Sequence, residues 1–278
     1  MSNSGLMIRS RLLRAAWRVG VVLGALMGCG LAGAQSMATL YQLGERPQRN
    51  TYAVGGIVSS SPVFQGTSHR EMAVLPNFEA RWTNGWFASV IYGVGYNAAL
   101  DDSEYGVRLM VDLGRDANLT QNISGLGTIR PSLNPAVFAN WAIEPWLKLM
   151  SGARTGMGVD GRGTTVDLGA RIGLYLADNQ LSGLALSVET QWANQAYNQS
   201  FFGITHDQSL RTDHPEFRPD AGLVENRLLL LGFAQFRPRW LATWRTGWTF
   251  PTIAVDDSPV VDHVRSFTAS LVINYQWY

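Results

Sequence analysis

Charged side chains recur at alternate positions along strand-like segments of this chain: Glu79 and Arg81, Arg108 and Asp112, Lys148 and Arg154, Asp167 and Arg171, then Glu189, Arg227 and Arg245. A spacing of two puts such groups on one face of a β-strand. If that face lines a narrow interior, the charges must pair or stay hydrated, because an unpaired buried ion costs several kcal/mol. The chemistry open to them is a salt-bridged filling that stiffens the interior, or a small pore biased toward anions by its basic excess. The lumen set singled out is Arg108, Asp112, Asp167, Arg171, Glu189 and Arg245.

The four histidines, His69, His206, His214 and His263, fall in polar stretches between those segments. Gathered at one rim they could ligate a metal, or with Asp207, Asp213, Asp257 and Ser258 form an acid-base or nucleophilic group. No serine, histidine and acid stand at a recognisable spacing, so the expectation is solvated loop histidines and no catalytic, metal or cofactor site. Gly93-x-Gly95 and Gly125-x-Gly127 lack the strand-turn-helix context of a phosphate-binding loop.

The elements that must position these residues show best at the C-terminus. In Ser266 to Tyr278, the side chains of Phe267, Ala269, Leu271, Ile273, Tyr275 and Trp277 share one face, opposite Ser266, Thr268, Ser270, Asn274 and Gln276. A strand in lipid needs one apolar face, and an aromatic-ended terminal strand of this kind closes a transmembrane β-barrel. The same one-faced alternation recurs at Tyr105–Leu113, Val166–Leu176, Leu184–Trp192 and Trp240–Phe250. In the second of these, Tyr175 is expected on the inner face with Asp167 and Arg171. Weaker candidates are Thr51–Ser60, Glu71–Trp82, Trp86–Asn97, Ser132–Ile143, Pro145–Thr155 and Val224–Phe236.

Short connections such as Thr83-Asn84-Gly85 and Arg237-Pro238-Arg239 alternate with long polar ones, notably 115–131, 194–222 and 251–263. Short periplasmic turns opposite long extracellular loops characterise outer-membrane barrels. The candidates number eleven, whereas single-chain bacterial barrels use even numbers. We therefore expect an all-β antiparallel transmembrane barrel of about twelve strands, with ten as the alternative, the extra strand coming from an N-terminal piece such as Ala38–Leu43.

Composition agrees. Charged residues are 15% of the chain and aromatic residues 11%, with 29 glycines; a soluble domain normally carries more charge. Arg9, Arg11, Arg14 and Arg18 precede an apolar stretch, Val19–Leu31, and then Ala32-Gly33-Ala34. This is the layout of a cleaved secretory signal. Residues 1–34 are the expected signal peptide, 35–49 an N-terminal periplasmic segment and 50–278 the barrel. Cleavage would remove four of the 22 basic residues, leaving 18 against 21 acidic ones, a balance that points away from nucleic acid. The single cysteine, Cys29, would leave with the signal, which excludes disulfides and thiolate chemistry in the mature chain.

In the longest loop, Asn198-Gln199-Ser200-Phe201-Phe202-Gly203-Ile204-Thr205 followed by Gln208-Ser209 resembles a hallmark segment of the MipA/OmpV family of outer-membrane proteins. The likeness continues at Asp257-Ser258-Pro259-Val260-Val261, at Val74-Leu75-Pro76 and at Gln65-Gly66-Thr67. The resemblance implies a non-enzymatic scaffold of the Gram-negative outer membrane, with a lytic transglycosylase and a penicillin-binding protein as partners in murein synthesis. It also implies surrounding outer-membrane lipid and recognition of the last strand by the barrel-assembly machinery. The alternatives are a pore for small solutes or antibiotics, or a surface receptor or adhesin using the long loops. Phe201 and Phe202 are expected to pack into the barrel mouth. Trp277, with Tyr278 as an additional residue, holds the register of the terminal aromatic.

Overall fold

The computed structural model describes residues 40, 41, 43, 46–100, 103–158, 160, 162–262 and 265–278. The expected signal peptide and His263 lie outside these described residues. Twelve strands follow one another: β1 (Thr51–Pro62), β2 (Arg70–Arg81), β3 (Trp86–Ser89), β4 (Gly93–Leu100), β5 (Ser103–Asp112) and β6 (Ser132–Glu144), then β7 (Leu147–Met157), β8 (Arg162–Leu176), β9 (Ser182–Ala193), β10 (Gly222–Arg237), β11 (Trp240–Pro251) and β12 (Ser266–Trp277). Each pairs antiparallel with its chain neighbours, and β1 pairs with β12 to close the barrel. Closure removes free edges at the seam and satisfies backbone groups in the only way a sheet can in lipid. Gly55 is needed at that seam: a Cβ there would lie 1.8 Å from the Ile273 carbonyl oxygen. Among the described residues, no helix is long and apolar enough to cross a membrane.

The twelfth strand does not come from the N-terminus. The stretch Trp86–Asn97, expected as one strand, is two, folded back at Val90-Ile91-Tyr92. The Ser89 hydroxyl accepts the N–H groups of Ile91 and Tyr92, and Gly93 takes φ +80°. Periodicity hides this turn because Phe87, Ser89, Gly95 and Asn97 all face inward at odd positions. The three turn residues and Gly93 leave the phase unchanged.

Because β3 is so short, β2 pairs with it only through Glu79, Ala80 and Arg81. Val90 adds one bond to the Phe78 carbonyl. By the alternation of a β-ladder, the backbone groups of Pro76, Val74 and Met72 point the same way as those of Phe78. Pro76 has no N–H to leave unsatisfied there. Met72 and Val74 are each 71% exposed.

Side-chain alternation sorts the wall. On β5, Val107, Leu109 and Val111 face outward while Arg108, Met110 and Asp112 are buried; on β12, Leu271 and Ile273 face outward and Val272 and Asn274 inward. Aromatic pairs mark both rims: Trp86 with Tyr96, Trp240 with Tyr275 and Tyr52 with Trp277 at one end, Trp248 with Phe267 at the other. Rings at these levels suit the headgroup zones of a bilayer. Trp277 is the last strand residue, paired with Tyr52, and Tyr278 lies beyond the ladder. One inward expectation is overturned. A bulge between Gly173 and Tyr175 in the pairing of β8 with β9 turns Tyr175 outward, 60% exposed, since an extra residue flips the alternation downstream.

Both chain ends of the barrel lie on the side of the short turns, 82–85, 145–146, 177–181 and 238–239. The long connections, 63–69, 113–131, 194–221 and 252–265, all emerge at the opposite end. Among the described residues these loops hold three short α-helices, α1 (Gln195–Phe202), α2 (His206–Ser209) and α3 (Ile253–Asp256), and a 3-10 turn at Gln121–Ile123.

Candidate functional site

At the long-loop end the four connections pack into an apolar cap. Val63, Phe64, Ile123, Leu126, Ile129, Tyr197, Phe201, Phe202, Ile204, Val255, Val260 and Val261 form one buried cluster with the strand residues Ala193 and Val224. Asn194 starts α1 by accepting the Tyr197 N–H through its side chain, as an N-cap does. That helix turns Phe201 and Phe202 into the cluster, where they are 7% and 1% exposed. Gly203 closes α1 by donating its N–H to Asn198 and Gln199. A capping box joins Thr205 and Gln208 at the start of α2. The Ser209 hydroxyl donates to His206, that of Ser200 to Ala196, and the Gln208 amide to the Leu126 carbonyl.

The three loops that carry the quoted motifs meet here. The Ser258 hydroxyl donates to the Phe202 carbonyl at 2.6 Å, and Arg115 Nη1 donates to the Phe201 carbonyl at 2.6 Å. Pro259 sits between Ser258 and the buried Val260, whereas Asp257 is exposed. Asp262 ties the loops together: its carboxylate accepts from the Thr67 hydroxyl, the Ser68 N–H and hydroxyl, and the Asn122 amide. Partial burial opposes ionisation of Asp262, but these donors prevail and hold its carboxyl below the usual carboxylate range. Burial lowers the Arg115 guanidinium to about 10 and raises the Tyr197 phenol.

Below the cap lies a charged belt. Arg227 sits among three carboxylates: Nη1 is 3.3 Å from Glu189 and 3.5 Å from Asp167, and its other nitrogens bond Glu225. All four residues are at most 4% exposed. Gln191 donates to Asp167 at 2.9 Å and Ser187 to Glu189 at 3.0 Å. Gln65 donates to Gln191, and the Tyr197 hydroxyl donates to Gln65. The belt and the cap are therefore one hydrogen-bonded unit. Asp112 accepts from Asn134 and the Gly114 N–H, Arg154 donates to Thr165, and Arg108 is buried at 4% exposure. Arg171 and Arg245 lie nearer the short-turn end, lining a cavity of about 320 Å³ with Glu79 and Arg81.

Leu40, Tyr41 and Leu43 lie in this lower lumen. Leu40 and Tyr41, within the stretch expected to be periplasmic, are 2% and 1% exposed. Tyr41 stacks on Phe138 at 4.0 Å and touches Phe87 and Tyr92. Its carbonyl accepts from Asn140, and Arg46 donates to the Asn97 carbonyl. Leu40 and Tyr41, together with Glu225, Gln65, Arg115 and Asp262, are site residues that sequence reasoning did not single out as chemistry. The strand-phase position of Glu225, two before Arg227, and the place of Gln65 in the Gln65-Gly66-Thr67 motif were the signals on offer.

The three described histidines do not assemble. His206 Nδ1 is 3.6 Å from Glu216, His214 Nε2 meets the Asn122 carbonyl at 2.9 Å, and His69 is exposed. Among the described residues, no three His, Cys, Asp or Glu side chains are grouped to hold a metal. Ser258, 0% exposed, spends its hydroxyl on Phe202.

Solved structures similar to this chain include proteins described as transporters and channels. The toluene transporter TodX of Pseudomonas putida aligns over 82% of this chain and 90% of its own, at 8% identity and a TM-score of 0.35. The monoaromatic hydrocarbon channel CymD aligns over 88% and 96%, at 8% identity and 0.40. The toluene transporter TbuX of Ralstonia pickettii aligns over 83% and 89%, at 10% identity and 0.36. Likeness at these levels carries no argument about cargo. No curated protein matches significantly. A family model described as MltA-interacting protein MipA matches residues 54–277, which takes in eleven of the twelve strands whole and every loop of the cap. This chain is a transmembrane β-barrel belonging to the MltA-interacting protein MipA family.

Proposed function

We propose that this protein is a non-enzymatic barrel of the Gram-negative outer membrane that serves as a scaffold for murein enzymes, its short-turn end facing the periplasm. The observation that carries this reading is the closed mouth. An apolar cluster built from four loops covers the long-loop end, and the Arg227 belt is hydrogen-bonded to it. Such a cap favours a stable platform over an open conduit, whose gate would need loosely held loops. The family description names MltA as the interacting protein and supports this reading; on this proposal a lytic transglycosylase of the MltA type binds the periplasmic rim, and a penicillin-binding protein joins the same assembly. The short turns offer little surface of their own. The rim available for docking includes Arg46–Asn50 and the exposed Trp146.

The test is co-purification after crosslinking in cells. Recovery of a lytic transglycosylase is expected, and recovery of neither murein enzyme refutes the scaffold. Liposome swelling with small sugars distinguishes the pore: the scaffold reading expects no flux, and measurable flux restores the conduit.

A further inference from the structure

The lower lumen holds a cost that the scaffold reading does not use. Lys148 and Arg171 are direct partners in the register of β7 and β8, and both face inward. Like charges directly opposite each other destabilise a sheet. Lys148 has a carboxylate 3.9 Å away, Glu104. Among the described residues Arg171 has no carboxylate at ion-pairing distance, and its Nε and Nη2 are buried and make no hydrogen bond. Its other cross-strand partner is Ser187, whose hydroxyl is given to Glu189, and Glu189 is already held by Arg227.

Nε and Nη2 form one edge of the planar guanidinium, the edge that grips a carboxylate through two parallel bonds. Arg171 also lines two cavities at the short-turn end, of about 320 and 470 Å³. The charged groups lining them are Arg81, Lys148, Arg171 and Arg245 against Glu79 and Glu144. The other walls of the smaller cavity are mixed: Asn77, Thr243, Ser270, Asn274 and Gln276 are polar, and Leu43, Ile91, Leu231, Phe233, Leu241 and Val272 supply an apolar patch. A cationic fork beside such a patch is complementary to an anionic head on a short hydrocarbon body.

We propose that the lower lumen is a binding site for a small carboxylate carried on a short apolar chain. The head is held by the Nε/Nη2 edge of Arg171 within the field of Lys148 and Arg245, and the chain lies against Leu231 and Phe233. Entry is from the short-turn end, away from the cap. The ligand neutralises the Lys148–Arg171 repulsion and so stabilises the barrel when bound.

The experiment titrates the full barrel in detergent by calorimetry with three probes: hexanoate, acetate and hexanol, each referenced to empty micelles. Hexanoate is expected to bind at least about tenfold more tightly than either of the others, since head and tail contribute together. Arg171→Gln is expected to weaken hexanoate by about tenfold or more, the loss of a charge-assisted pair, and Arg171→Lys to fall between. Leu231→Trp, which fills the recess and leaves the guanidinium in place, is expected to abolish hexanoate binding; it keeps the test decisive if Arg171→Gln does not fold. Hexanol binding as tightly as hexanoate, or hexanoate binding unchanged in Leu231→Trp or in folded Arg171→Gln, overturns the site. These outcomes are independent of recovery of a murein enzyme, so each reading can fail alone.

Discussion

Replacing Arg227 with methionine tests how the interior of this barrel is held. The guanidinium is the common partner of Asp167, Glu189 and Glu225, and the four residues are nearly inaccessible. Methionine fills most of the volume and removes the only positive charge of the group. Gln191 still donates to Asp167 and Ser187 to Glu189, but Glu225 loses its two bonds from Arg227. Breaking a buried ion pair by removing one partner costs about 3–5 kcal/mol, because the charge left behind is uncompensated. With about 2–4 °C lost per kcal/mol in a domain of this size, the midpoint of thermal unfolding falls by about 6–20 °C. The assay is urea unfolding in lipid vesicles followed by tryptophan fluorescence, with thermal melts alongside. Adding Glu225→Gln and Asp167→Asn to Arg227→Met should recover most of the loss, since neutral amides remove the orphaned charge. A single variant within 1 kcal/mol of the parent, or a triple variant no better than the single, would falsify the belt as a stabilising unit.

Three further outcomes follow from the cap and the last strand. Phe202→Ala removes a side chain buried to 1% and should cost the cap about 3–5 kcal/mol, seen as rapid protease cleavage within 194–221 while the strands stay protected; uncut loops would reject the packed cap. Asp262 has a depressed carboxyl pKa, so its stabilisation is complete above the unfolded value near ~4 and is lost as pH falls through the folded value. Loop proteolysis should therefore rise on acidification toward that range, and Asp262→Asn should flatten the dependence; an identical profile in the variant counts against the linkage. Deleting Tyr278, which lies outside the ladder, should leave barrel yield unchanged, whereas Trp277→Ala, losing the Tyr52 stack, should lower it; equal losses in both would move the terminal signal to Tyr278.

Much of the architecture could be read from the chain. Strands β5, β9, β11 and β12 betray themselves because lipid on one side and a polar lumen on the other enforce a period of two, and that period survives in the residues themselves. Where the physics broke the period, the reading failed. The bulge before Tyr175 inverted one side chain, and the turn at Val90–Tyr92 preserved the phase and concealed a strand boundary. The N-terminal piece offered as a strand misled because its apolar residues Leu40 and Tyr41 are buried inside the lumen outside any strand.

The candidate site divides along the same line. Alternation alone placed Arg108, Asp112, Asp167, Arg171, Glu189 and Arg245 on inner faces, because strand geometry relates each side chain to its neighbours two residues away. Which charge meets which depends on cross-strand register, a relation between residues such as Asp167 and Arg227 that are far apart in the chain and adjacent only once the barrel closes. The same holds for the loop motifs. Their residue types could be recognised one loop at a time, but Ser258 meeting Phe202, Arg115 meeting Phe201 and Asp262 gathering Thr67, Ser68 and Asn122 are contacts between loops. Local pattern determined the faces of the wall; tertiary closure decided the pairing inside it, the cap above it and the unsatisfied edge of Arg171 below.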